Sequence, residues 1–119
     1  VNLQVQNKGK HKYSKEAVKE LKKAIDQICT IYRESIQRIS GDDDITIQDV
    51  QSQKESIMNL DEKIRKNHIF RVGKGKCDSK LTAPFNEVLH NIERIGNSCV
   101  NLVEVAEDKA IMQSLLAED

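Results

Sequence analysis

Tryptophan is absent from this 119-residue chain, and phenylalanine and tyrosine occur only twice each. An interior so poor in rings has to be aliphatic, as in a bundle of helices joined along seams of Ile, Val and Leu. Neither sign of charge is in excess, with 19 basic and 19 acidic residues. That balance argues against nonspecific nucleic-acid binding, which needs a basic surplus to displace counterions from phosphates. No run of about 18 apolar residues occurs, so nothing in this stretch reads as a membrane span. Cysteine is scarce and odd in number: Cys29, Cys77 and Cys99 form no Cys-x-x-Cys pair and no zinc-like spacing with histidine. They read as reduced thiols in a cytosolic setting. There is no charged, apolar, then small-residue leader. The opening at Val1 instead of Met reads as a cut, and the chain as a fragment of something larger.

What the chain does have is a core. Leu, Ile, Val and Phe number 32, more than a quarter of the residues and above the level of about a fifth below which chains stay disordered. The length suits one domain. Residues 1–12, with their alternating start and the lysines Lys8, Lys10 and Lys12, read as a linker or lead-in, a solvated tether. Residues 13–119 then form the domain.

Three helical stretches follow from spacing. Ser14 is a good N-cap, and Val18, Leu21, Ile25, Ile28, Tyr32, Ile36 and Ile39 hold a seam of period near 3.5 as far as Gly41. Asp42, Asp43 and Asp44 look like calcium ligands, but the alternating Asp-x-Asp-x-Asp-Gly loop and its distal Glu are missing, so they read as a polar turn. Thr46 caps a second helix, whose weaker seam is Val50, Ile57, Leu60 and Ile64, closed by Gly73 and Gly75. Near its end His68 and Arg71 fall close to the seam, where positive groups suit the dipole and can bond the last carbonyls; a phosphate or acidic-ligand contact by Arg71 is the second reading. Thr82 or Asp78 caps the third helix, with Pro84 in its first turn. Its seam is Phe85, Val88, Ile92, Ile95, Cys99, Leu102 and Ala106. If it continues through Ile111, Met112, Leu115 and Leu116, those residues either pack back on the bundle or meet another chain or domain. Three helices of about 25 residues, ~37 Å each, joined by short turns give an all-α, antiparallel up-down-up bundle.

Chemistry is thinner. Glu93, Asn97 and Asn101 step by four along the third helix, roughly opposite its seam, as a line of oxygen donors facing solvent or a partner; Glu104 and Asp108 continue that face. Glu55 and Asn59 make a similar outward pair on the second helix. One carboxylate with two amides is a poor set for a hard cation. Glu87 and His90 form one Glu-x-x-His, where di-iron bundles use two with further inward glutamates, and His90 falls on the outer face. Val72 to Cys77 lacks the phosphate-loop pattern and follows a helix, not a strand. No nucleophile stands out with a base and an orienting partner, so an enzyme is not expected.

Glu93-Arg94-Ile95-Gly96, a short polar residue, then Asn101 resembles the helix that marks PhoU-like domains. The resemblance extends upstream through His68-Ile69-Phe70-Arg71, Gly75, Cys77 and Tyr13-Ser14 to Leu21, which look like the version in the C-terminal region of sodium/phosphate cotransporter family proteins. It covers about residues 13 to 108. What it implies is a PhoU-like, spectrin-repeat-like bundle at the cytoplasmic face of the inner membrane, regulating phosphate uptake through a transporter membrane domain in the same or another chain. It also implies a homodimer or a second PhoU-like bundle as partner. The family's acidic row binds divalent, iron or zinc ions, which would assign Glu93, Asn97 and Asn101 a metal role, although the usual form has aspartate where this chain has Asn97. The alternative, from the bundle alone, is a protein-protein assembly module with no metal or phosphate role; a metal-storage bundle ranks last.

Overall fold

Ser14 begins the first helix by accepting the Ala17 N–H at 3.1 Å. The computed structural model describes residues 13–42 and 44–117, so the lead-in of residues 1–12 and Asp43 lie outside the described residues. Helix α1 runs Lys15–Ile39. It ends in two interlocked bonds, Gly41 N–H to the Arg38 carbonyl and Asp42 N–H to that of Gln37. That closure needs a left-handed residue at Gly41, whose φ is +112°.

Helix α2, Ile47–Gly73, opens with a reciprocal cap. Thr46 accepts the Asp49 N–H, and the Asp49 carboxylate accepts that of Thr46. A third donor, Ile47 N–H, is taken by Glu107 from the third helix at 3.1 Å. The far end repeats the α1 closure, with Gly75 at φ +72° and Lys76 N–H on the Arg71 carbonyl. A short 3-10 turn, Ser79–Leu81, capped by Asp78, leads into helix α3, Thr82–Ala117. All three helices pack on one another, so the up-down-up bundle is the fold, with no strand among the described residues.

The inner seams differ from those expected at several positions. On α1 the buried row is Ala17, Leu21, Ala24, Ile28, Ile31 and Ser35, while Ile25, Tyr32, Ile36 and Ile39 stay exposed. On α3 the buried row is Phe85, Leu89, Ile92, Gly96, Cys99, Val100 and Val103, while Ile95 and Leu102 are exposed. The physical reason is that each helix carries two neighbouring apolar rows. The row with small residues (Ala17, Ala24, Ser35 and Gly96) lets three backbones approach, and the bulkier row is turned outward. Ser35 is satisfied inside by donating to its own helix at the Ile31 carbonyl, 2.7 Å away.

Candidate functional site

Helix α2 buries polar residues at seam positions: Asp61, His68 and Arg71 follow Ile57 and Ile64 at steps of three and four. These side chains and their partners are the chemically distinctive part of the molecule.

At mid-height, Arg65 on α2 pairs with Glu93 on α3, Nη2 to Oε2 at 2.6 Å. Asp61, one turn before Arg65, is fully buried and neither of its oxygens meets a donor. Its neighbour is the Glu93 carboxyl, another acceptor, so the two can bond only when a proton sits on one of them. Burial first, then Glu93, raise the Asp61 carboxyl to about 7, with Arg65 pulling the other way.

Of the row expected on α3, Glu93 is turned toward α2 and only one-fifth exposed, because Arg65 reaches across to it. The expectation that it lies roughly opposite the seam, facing solvent or a partner, is corrected for Glu93, which faces the neighbouring helix of its own bundle. Asn97, Asn101, Glu104 and Asp108 are exposed, as are Glu55 and Asn59 on α2. Among the described residues, no three of His, Cys, Asp and Glu gather as a metal-holding group. The donors as placed therefore do not make a metal site: Glu93 is engaged by a guanidinium, and the next two members of its row are amides.

Toward the other end of α2, His68 is buried, its ring stacked on Phe85 at 4.4 Å between centroids and its Nε2 2.9 Å from the Thr82 hydroxyl. The Cys77 thiol lies 3.9 Å from Nδ1. Burial, then the Arg71 charge, lower the His68 pKa, and Glu20 opposes them, so the ring is held neutral. Arg71 binds Glu20 of α1 at 2.7 Å, and Asn67 donates to the other oxygen of that carboxylate, also at 2.7 Å. His68 and Arg71 thus tie α2 to α3 and α1, where the sequence suggested bonds to their own helix's last carbonyls. The reason is that both point inward, where only neighbouring helices offer partners.

Spacing could have found Asp61, since a carboxylate three residues before Ile64 and four after Ile57 occupies a core position. Nothing in the sequence pointed to Glu20, Arg65 or Glu107, whose partners are distant in the chain.

The family model of the PhoU domain matches residues 13–106. The chain belongs to the PhoU domain family. No curated protein and no solved structure matches it. The match spans α1, α2 and α3 as far as the last fully buried side chains, and so includes both polar clusters. PhoU domains form a non-enzymatic, regulatory family of phosphate transport. No helix of the described part of this PhoU domain is long and apolar enough to cross a membrane.

Proposed function

We propose that this PhoU domain is the cytoplasmic regulatory domain of a sodium/phosphate cotransporter family protein, controlling phosphate uptake by contact with the transporter's membrane domain. What supports the reading is the part played by the residues that resemble the cotransporter-associated version. His68 stacks on Phe85, Arg71 holds Glu20, Cys77 is buried beside His68, and Gly75 takes the left-handed turn. These residues close one end of the bundle together, which explains why they occur together in one chain.

With the inner faces committed to packing, the exposed ridge of Asn97, Asn101, Glu104 and Asp108 is the surface we assign to the transporter. A photo-crosslinking residue at Asn101 in the intact parent protein tests this. The expected product joins this domain to the membrane domain; products with unrelated soluble proteins alone would overturn the assignment. The assembly-module reading is favoured by one separate feature, the outward apolar rows of α1 and α3. A metal role for Glu93, Asn97 and Asn101 would require Glu93 to exchange Arg65 for a cation.

A further inference from the structure

The 19 basic and 19 acidic residues cancel in number but not in place. Cross-helix pairs set the levels: Glu20 with Arg71 and Glu93 with Arg65 lie toward one end, Glu34 with Gln53 and Glu107 with the Ile47 N–H toward the other. Among the described residues, the half made of 13–27 and 61–95 holds 12 basic and 8 acidic side chains, and the half made of 28–60 and 96–117 holds 4 and 8. The bundle is therefore charged oppositely at its two ends, positive where α1 begins and α2 finishes. Lys8, Lys10 and Lys12 directly precede that end in sequence.

The last turns of α2 give the positive end an apolar tip. Ile69 and Phe70 are 67 % and 62 % exposed. They are forced outward because His68 and Arg71 on either side of them occupy the buried stripe, and at about 100° per residue the two positions between point to the far side of the helix. Lys63 and Lys66 precede the pair, Lys74 and Lys76 follow it, and all four are exposed. The Lys74 ammonium lies 5.5 Å from the centre of the Phe70 ring, and Lys76 borders one hollow with Phe70. The acidic neighbours are Glu16, on that hollow, and Glu62, bonded to Lys66 at 3.2 Å, so the four lysines stay in excess.

We propose that this end of the bundle docks on an anionic lipid surface, with Ile69 and Phe70 entering the headgroup layer and the lysines meeting lipid phosphates. Area decides between lipid and protein. Two apolar side chains fall far short of the ~800 Å² per partner of a standard protein interface, whereas a bilayer surface accepts a shallow apolar insertion and gains roughly fivefold in partition from each nearby lysine. Lysine stems suit such a boundary, being apolar along their length and charged at the tip. The ridge assigned to the transporter, Asn97 to Asp108, is in the other half, so the two surfaces do not overlap. The inference uses only charge and exposure and stands apart from the transport reading.

Cosedimentation of the 119-residue chain with vesicles tests it. Binding is expected to vesicles of phosphatidylcholine and phosphatidylglycerol in equal parts and not to phosphatidylcholine alone, and it falls as sodium chloride is raised. Lys66→Gln with Lys74→Gln weakens partition roughly tenfold or more, and Phe70→Ser roughly fivefold. The helical spectrum is unchanged in both variants, because all three residues are exposed. The chain has no tryptophan, so Phe70→Trp reports this contact alone: its emission shifts to the blue on anionic vesicles and is quenched by brominated lipid. No vesicle binding, equal binding to both kinds of vesicle, or binding that leaves the tryptophan emission unmoved overturns the proposal. So does release by inorganic phosphate at a far lower ionic strength than sodium chloride requires, which makes the site one for a free anion. Tight binding to polyglutamate with vesicles ignored overturns it too, making the partner an acidic protein.

Discussion

Asp61 and Glu93 place two carboxyl groups side by side between α2 and α3, and only Glu93 is held by Arg65. The unpartnered member is the fully buried one, so the contact between the two helices stores an electrostatic cost that depends on pH.

The sign is definite. Asp61 titrates near 7 in the folded chain against an ordinary 3.8, so the folded state binds the extra proton between those values. Its contribution is most favourable below about pH 4 and is lost as pH rises through about 7, at about 1.4 kcal/mol for each pH unit separating the folded and unfolded values. Asp61→Asn keeps the shape without the charge. Urea unfolding should show the variant more stable than the parent at pH 8, the advantage disappearing by pH 4.

His68 works in the opposite direction. Its folded pKa is lowered, so the neutral ring's contribution is present above about 6.5 and fades as pH falls through the folded value. Replacing it by Gln at pH 8 removes the stack on Phe85 and should cost ~1–2 kcal/mol. At pH 5 the gap between parent and variant should narrow, because the parent then has to charge a buried ring.

Glu20→Gln leaves the Arg71 guanidinium, one-tenth exposed, without its carboxylate. A loss of roughly 1–3 kcal/mol is expected by chemical unfolding, kept below the fully buried case because Glu20 touches solvent. Glu20→Gln combined with Arg71→Met should recover part of it, since the second change removes the stranded charge.

The glycines separate by backbone. Gly41→Ala and Gly75→Ala force a side chain into the left-handed region and should each cost ~1–2 kcal/mol. Gly96→Ala should be neutral or stabilising by up to ~1 kcal/mol: the added methyl would meet Ile28 and Lys54 at an ordinary 3.6 Å, and alanine favours the helix. Thermal melts of the three variants provide the comparison.

The elements themselves were legible in the chain because their signals are local. Ser14, Thr46, Gly41 and Gly75 cap where their side chains or lack of one dictate, and the apolar periods mark three helices. Which of two apolar rows faces inward was not legible on α1 or α3. Ile36 and Ile31 are equally greasy, and the choice depends on where Ala24 and Gly96 allow helices to close, a property of three helices together. The site was half legible for the same reason. The ridge of Asn97 and Asn101 is a spacing pattern, whereas Glu93 meeting Arg65 and Arg71 meeting Glu20 join residues 28 and 51 apart.

The central claim, that this PhoU domain regulates phosphate transport, is tested most directly by the initial rate of labelled phosphate uptake in cells carrying the intact parent protein. Phe85→Asp, which breaks the bundle where His68 and Tyr13 meet that ring, is compared with the parent at equal membrane abundance. The account predicts an uptake rate that no longer responds to external phosphate as the parent's does; identical rates at every phosphate concentration would contradict it.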